Sequence, residues 1–271
     1  MRKKVAVFLL SKLELDEYAC KFIILRLNLM QDYFEFEFPD NMRLAVDRTR
    51  YIKHQDMCAR DYLFDGFAKM IEETQQKSPY NADYYIGITS VTIDTEDYFW
   101  TVEGNKAIIT TKGWEKNYAP PSVFEYILQS VAGTLVKMAS AQVKDSSITE
   151  HPPARGCILD DAYDKKDNKI DTSLGYICDE CKTKIETALG DAFLCAIEKI
   201  CSRDCLGDIE TKNSAAYDLK KFFRVDVDKD TGFNKTFWEK AKEHISKSTE
   251  EIIIGTVIAI ASAIITYLLV R

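Results

Sequence analysis

Histidine is scarce in this chain. Three occur in 271 residues, His54, His151 and His244, and no two stand close enough to share a helical turn. That excludes the paired-histidine helix from which His-Glu-x-x-His zinc peptidases build their site. There is no Gly-x-Ser-x-Gly and no glycine-rich phosphate loop, which removes the usual hydrolase and nucleotide-binding signatures. No Gly-rich or Pro-rich low-complexity stretch and no internal repeat appears. Positive charge is in deficit: the net charge is −7, so a nucleic-acid partner is excluded on electrostatic grounds. No export signal is expected either. Met1-Arg2-Lys3-Lys4 imitates the start of one, but the apolar run Val5–Leu10 is only six residues long, and a signal needs roughly 7–15. The amino-terminal part is therefore expected to stay in the cytoplasm.

What is present begins at the other end. Ile252 to Val270 is nineteen residues without a charge, closed by Arg271. About twenty apolar residues at about 1.5 Å rise each cross the hydrocarbon core of a bilayer. A buried core helix is the competing reading, but the only polar groups here are Thr256, Ser262, Thr266 and Tyr267, too few for a wet face. Lys235, Lys240, Lys242 and Lys247 precede the segment and Arg271 alone follows it, which orients the preceding domain to the cytoplasm. Gly255, Ala259 and Ala263 recur every four residues and put small side chains on one face, a pattern that lets helices approach closely in lipid. The expected organisation is a cytoplasmic α/β domain over residues 1–225, a charged juxtamembrane helix over 226–250 and a single transmembrane helix over 251–271. The bilayer is then a partner, and a homo-oligomer through the span follows if the small-residue stripe packs.

Within the domain, Val5–Leu10 reads as a strand. Leu15–Leu29 places Tyr18, Phe22, Ile23, Leu25 and Leu29 at helical spacing, and Tyr33–Phe38 alternates aromatic with acidic, as a strand with one wet face does. Tyr62–Thr74 reads as an amphipathic helix, and Tyr84–Thr92 and Lys106–Thr111 as strands. This β-α-β-α-β-β order implies an α/β domain with a mixed sheet. After Pro120-Pro121, Ser122 caps a helix to about Ala141. Asp145–Asp171 reads as charged loop, its aspartates Asp160, Asp161, Asp164, Asp167 and Asp171 solvated. Cys178–Cys201 reads as one helix and Ala215–Phe223 as a short one.

Eight cysteines occur. In a reducing compartment a clustered subset reads as metal ligands rather than disulfides. Cys178-Asp-Glu-Cys181 has the spacing of half a structural zinc site, two thiolates chelating from one helical turn. His151 and Cys157 are the best second pair, across a segment too polar to build a core of its own. The expected ligand set is His151, Cys157, Cys178 and Cys181 around one structural Zn2+. Plain buried thiols and a redox dithiol are the alternatives. Cys195, Cys201 and Cys205 read as core or incidental.

Residues from Tyr84 to Leu189 resemble the archaemetzincins, a branch of the metzincin zinc peptidases. The resemblance rests on Ile86-Gly87-Ile88-Thr89, Ala107-Ile108-Ile109-Thr110, the helix after it, Gly156-Cys157-Ile158-Leu159 and Ile177-Cys178-Asp179-Glu180-Cys181. It implies a metzincin-like domain and a second, structural zinc held by cysteines. It also implies a catalytic zinc on His-Glu-x-x-His-x-x-Gly-x-x-His, and here the chain departs. With Gly133 aligned to the motif glycine, Tyr126, Ile127, Ser130 and Val136 take the places of first histidine, glutamate, second histidine and third ligand. Counting back from Cys157 puts His151 at the third-ligand place but Ala141, Gln142 and Asp145 at the others. Neither register makes a zinc-water site. Pro152 stands where the family's first structural cysteine stands and Leu159 where its methionine does, leaving His151 as substitute ligand. The functional expectation is a catalytically inactive, zinc-stabilised, tail-anchored domain that binds a protein partner or senses a signal. An oligomerising membrane-disrupting effector of a bacterial immune system and a divergent metallopeptidase are the alternatives.

Overall fold

The computed structural model describes residues 1–11, 13–39, 59–77, 81–94, 98–143, 148, 151, 154–161, 164–225 and 227. The juxtamembrane helix expected over 226–250, Val227 apart, the transmembrane helix expected over 251–271 with Gly255, Ala259 and Ala263, and also Cys58, lie outside the described residues. No helix among the described residues is long and apolar enough to cross a membrane.

The chain runs β1 (Lys3–Leu9), α1 (Glu17–Met30), β2 (Phe34–Glu37), α2 (Ala59–Lys77), β3 (Tyr84–Thr89), β4 (Trp100–Glu103), β5 (Lys106–Thr110) and a one-turn α3 (Trp114–Asn117). Then come α4 (Val123–Val143), α5 (Lys165–Leu174), α6 (Asp179–Leu189), α7 (Asp191–Cys201) and α8 (Ala215–Asp218), which widens into a π turn over Leu219–Phe223. The five strands form one mixed sheet in the order β2-β1-β3-β5-β4. β1 pairs parallel with β2 and β3, and β3 with β5, Val5 facing Tyr84 and Tyr85 facing Lys106. β4 closes the edge antiparallel, Trp100 facing Ile109. The mixed-sheet α/β expectation therefore holds, with β4 as an unforeseen strand. Its four residues, Trp100-Thr-Val-Glu103, return across Gly104-Asn105, a turn with Gly104 at φ +60°, where a glycine is free of the Cβ penalty.

Side-chain alternation gives the sheet two buried faces. Val5, Val7, Leu9, Tyr84, Ile86, Ile88 and Ile109 join the core under α1, α4, α6 and α7. Ala6, Phe8, Leu10, Tyr85 and Ile108 face Leu63, Phe64, Phe67, Met70 and Ile71 of α2. Phe8 and Phe67 meet edge to face at 5.6 Å. Central strand β3 is buried throughout, as a strand covered on both sides must be.

α4 is the helix that the rest packs around. Ser122 and Glu125 form a capping box: Glu125 Oε2 accepts the Ser122 N–H at 2.7 Å, and Ser122 Oγ accepts the Glu125 N–H at 3.4 Å. Sixteen of its twenty-one residues are buried, so it is a central core helix rather than a surface one. Two expectations are corrected around it. The Asp145–Asp171 segment is not all loop, because its end starts α5. Asp164 caps that helix, accepting the N–H groups of Lys166 and Asp167 at 2.7 and 3.1 Å. And Cys178–Cys201 is two helices, broken where Gly190 adopts φ +90°.

Candidate metal centre

The centre is assembled from three short pieces that the core helices hold together. The first carries His151, whose N–H reaches Leu159 O and whose carbonyl accepts from Asp161. The second is the turn Arg155–Leu159. The third starts at Gly175, the left-handed cap of α5 at φ +59°, whose N–H donates to Asp171 O at 2.8 Å. From there Tyr176 lies in a parallel bridge with Cys157, and Ile158 N–H donates to Tyr176 O at 3.1 Å. That bridge sets Cys157 beside the start of α6, where Cys178 is the N-cap and Cys181 follows one turn later.

One ligand atom from each of His151, Cys157, Cys178 and Cys181 lies within 4.8 Å of the others, and all four residues are buried. A tetrahedral zinc with thiolate bonds of about 2.3 Å has its sulfurs about 3.8 Å apart, so the cluster is near the size of a zinc site. His151 Nε2 is 3.4 Å from Cys178 Sγ, and Cys178 N–H points at Cys157 Sγ at 3.4 Å. A hydrogen bond from Cys181, opposed by burial and helped by the Cys178 N–H, lowers the Cys157 thiol below its ordinary range. Cys181 is driven up by that same contact and by burial. Three sulfurs crowded together at a helix N-terminus are an arrangement that favours thiolates and suits a dication. Arg155 caps the site from outside, 2.7 Å from Glu180 and 3.9 Å from Cys178 Sγ. Three sulfurs and one imidazole suit Zn2+ by ligand softness and count. The four residues expected from spacing are the four brought together, and the cluster can hold one zinc.

The acidic segment is only partly solvated: Asp167 is exposed and Asp161 half-buried. Asp164 is a helix cap, and Asp160 and Asp171 are buried. Asp160 Oδ2 accepts the backbone N–H groups of Arg155, Gly156 and Cys157, the last two at 2.6 and 3.1 Å. Burial, with Asp160 and Cys157 nearby, pushes the Asp171 carboxyl up to about 8. The remaining described cysteines stay apart from the cluster. Cys20, Cys201 and Cys205 are buried and Cys195 is exposed, and burial pushes the three buried thiols up to about 12.

The positions that the family resemblance assigns to catalysis are occupied otherwise. Tyr126, Ile127, Ser130 and Val136 are all buried in α4. Tyr126 stacks on Trp114 at 4.0 Å and 20°. Its hydroxyl donates to Thr110 O at 2.8 Å and Phe99 O at 2.9 Å. In the second register, Ala141 and Gln142 are exposed at the end of α4, and Asp145 lies outside the described residues.

No family model matches this chain, and no curated protein does. Among solved structures the chain is distantly similar to archaemetzincin from Methanopyrus kandleri, at 12% identity and a TM-score of 0.43, over 69% of this chain and 96% of that one.

Proposed function

We propose that this protein is a non-enzymatic, zinc-stabilised α/β domain held to a membrane by its carboxy-terminal segment, where it binds a protein partner or relays a signal. The observation that carries the reading is the closed donor set. His151, Cys157, Cys178 and Cys181 can supply four protein ligands to one metal, which would leave no open position for the activated water that zinc hydrolysis needs. The histidines left over, His54 and His244, stand too far apart in sequence to form the one-turn pair of a second, paired-histidine site. The uncharged run Ile252–Val270 supports the membrane attachment, and the lysines before it support a cytoplasmic domain.

A chain ending at Glu251 is expected to fold, bind zinc and leave the membrane fraction. If it stays with membranes after carbonate washing, the tail is not the sole anchor. The stripe Gly255, Ala259 and Ala263 favours a second reading, in which spans from several copies associate and disturb the bilayer. Dye release from vesicles by the full chain, absent from the Glu251 truncation, selects that version. Chelator-sensitive peptide cleavage by the wild-type protein would select a peptidase and overturn both.

A further inference from the structure

Two buried polar atoms beside the metal centre have no hydrogen-bond partner: His151 Nδ1 and Asp160 Oδ1. They face one another at 3.4 Å, with the side chains 7% and 2% exposed. Buried donors and acceptors without partners are rare and costly, and here each is the other's nearest remedy. The opposite edge of the imidazole, Nε2, points into the thiol cluster. A neutral imidazole carries one N–H, and a metal takes the bare nitrogen. With the proton on Nε2, the ring would aim it at the metal position and leave Nδ1 lone-pair to lone-pair with a carboxylate. With the proton on Nδ1, both conflicts disappear.

We propose that Asp160 is a positioning residue of the zinc site: Oδ1 accepts the Nδ1 proton of His151, so that Nε2 is the ligand, while Oδ2 fixes the turn that carries Cys157. The inference rests on zinc occupying the cluster. The second half follows from the three N–H groups that converge on Oδ2 from Arg155, Gly156 and Cys157. That convergence needs Gly156 at φ +74°, where a Cβ would also meet Leu174 at 2.1 Å. With Oδ2 held by three amides the carboxylate cannot swing away, and Oδ1 stays aimed at the ring. One carboxylate thereby orients two of the four ligands, one through its ring and one through its backbone. Outer partners of this kind raise the basicity of the ligating histidine and are worth about 10- to 100-fold in metal affinity.

The test is a double-mutant cycle on zinc affinity, measured by chelator competition with the full-length protein in detergent. Asp160→Asn should weaken zinc about 10- to 100-fold. His151→Cys makes the site all-thiolate and removes the ring that Asp160 orients. In that background Asp160→Asn should cost several-fold less. An equal loss in both backgrounds would mean that Asp160 only holds the turn, and no loss in either would mean that it does neither; both overturn the proposal. A second measurement needs no variant. In the 15N-histidine spectrum of the zinc-loaded wild type, His151 should show a protonated Nδ1 and a metal-bound Nε2, and the reverse assignment overturns the proposal. Wild-type protein that takes up no zinc sinks the metal reading itself, an outcome distinct from zinc bound without coupling.

Discussion

Tyr126 is where a structural and a catalytic reading of α4 part most sharply. Its ring is fully buried, stacked on Trp114, and its one hydroxyl proton is shared by the carbonyls of Thr110 and Phe99. Phe99 O also accepts the Thr110 N–H at 3.0 Å, so removing the hydroxyl leaves chiefly Thr110 O short of its side-chain partner. Tyr126→Phe should therefore cost about 1–3 kcal/mol, the penalty of one buried group left unsatisfied. Tyr126→Ala adds the lost ring, about 3–5 kcal/mol for a large core aromatic, and about 0.5–1.5 kcal/mol for the stack. The sum approaches the whole stability of an ordinary domain, about 5–15 kcal/mol. Urea unfolding of the zinc-loaded protein, followed by tryptophan fluorescence, measures both variants. A Tyr126→Phe protein as stable as wild type would refute the idea that this hydroxyl is part of the core's hydrogen-bonding, and would reopen α4 as a functional surface.

Other expectations bear on separate parts of the molecule. Cys178→Ser should reduce zinc content to near zero, expose Cys157 and Cys181 to thiol labels and speed amide exchange first within residues 151–181; unchanged metal content would remove Cys178 from the ligand set. Gly175→Ala forces a Cβ into the left-handed region and to within 2.6 Å of Cys201 O, so it should cost about 1–2 kcal/mol for the conformation and about 1–3 kcal/mol for the displaced backbone, and a urea midpoint equal to wild type would contradict this. Asp83 is pulled toward a raised pKa by burial, but the hydrogen bonds from Lys3 and the Lys4 N–H outweigh it and hold the carboxyl below its ordinary 3.8. Its contribution is thus present above about pH 4 and fades as pH falls through the lowered value. Both partners are partly exposed, so Asp83→Asn should cost under about 1 kcal/mol at neutral pH, with the gap to wild type closing in acid; a gap that widens in acid would reverse the sign.

Much of this fold is legible in the sequence because its signals are local. The Val5–Leu10 run, the alternation of Tyr33–Phe38 and the Ser122-x-x-Glu125 box each specify an element with neighbours only a few residues away, and each element is present. β4 escapes that reading because a four-residue edge strand has too little pattern to separate from loop. The break at Gly190 escapes because a single glycine between two amphipathic runs is tolerated in a helix as readily as it ends one. The candidate zinc ligands are legible for a different reason. Cys178 and Cys181 need only one helical turn between them, and Cys157 with His151 lies in the polar segment just before them, while Cys195, Cys201 and Cys205 read as core or incidental.

Asp160, Asp164 and Asp171 show what residue type alone does not reveal. Within twelve residues, one carboxylate caps three amides and faces a histidine, one starts a helix, and one is buried and held near neutrality. A helix signal was available: Asp164 and Gly175 bracket ten residues as N-cap and left-handed cap, the start and stop pattern of a short helix. No comparable signal marks Asp160. Its role depends on the turn made possible by Gly156, on the bridge that sets His151 against residue 160, and on α4 and α6 enclosing the whole. Charge placed in a run suggests solvation only while the backbone around it stays open. Once three N–H groups converge on one oxygen, burial becomes tolerable, because the desolvation of the carboxylate is offset by charge-assisted hydrogen bonds. The same geometry that makes Asp160 tolerable in the interior leaves its second oxygen aimed at His151.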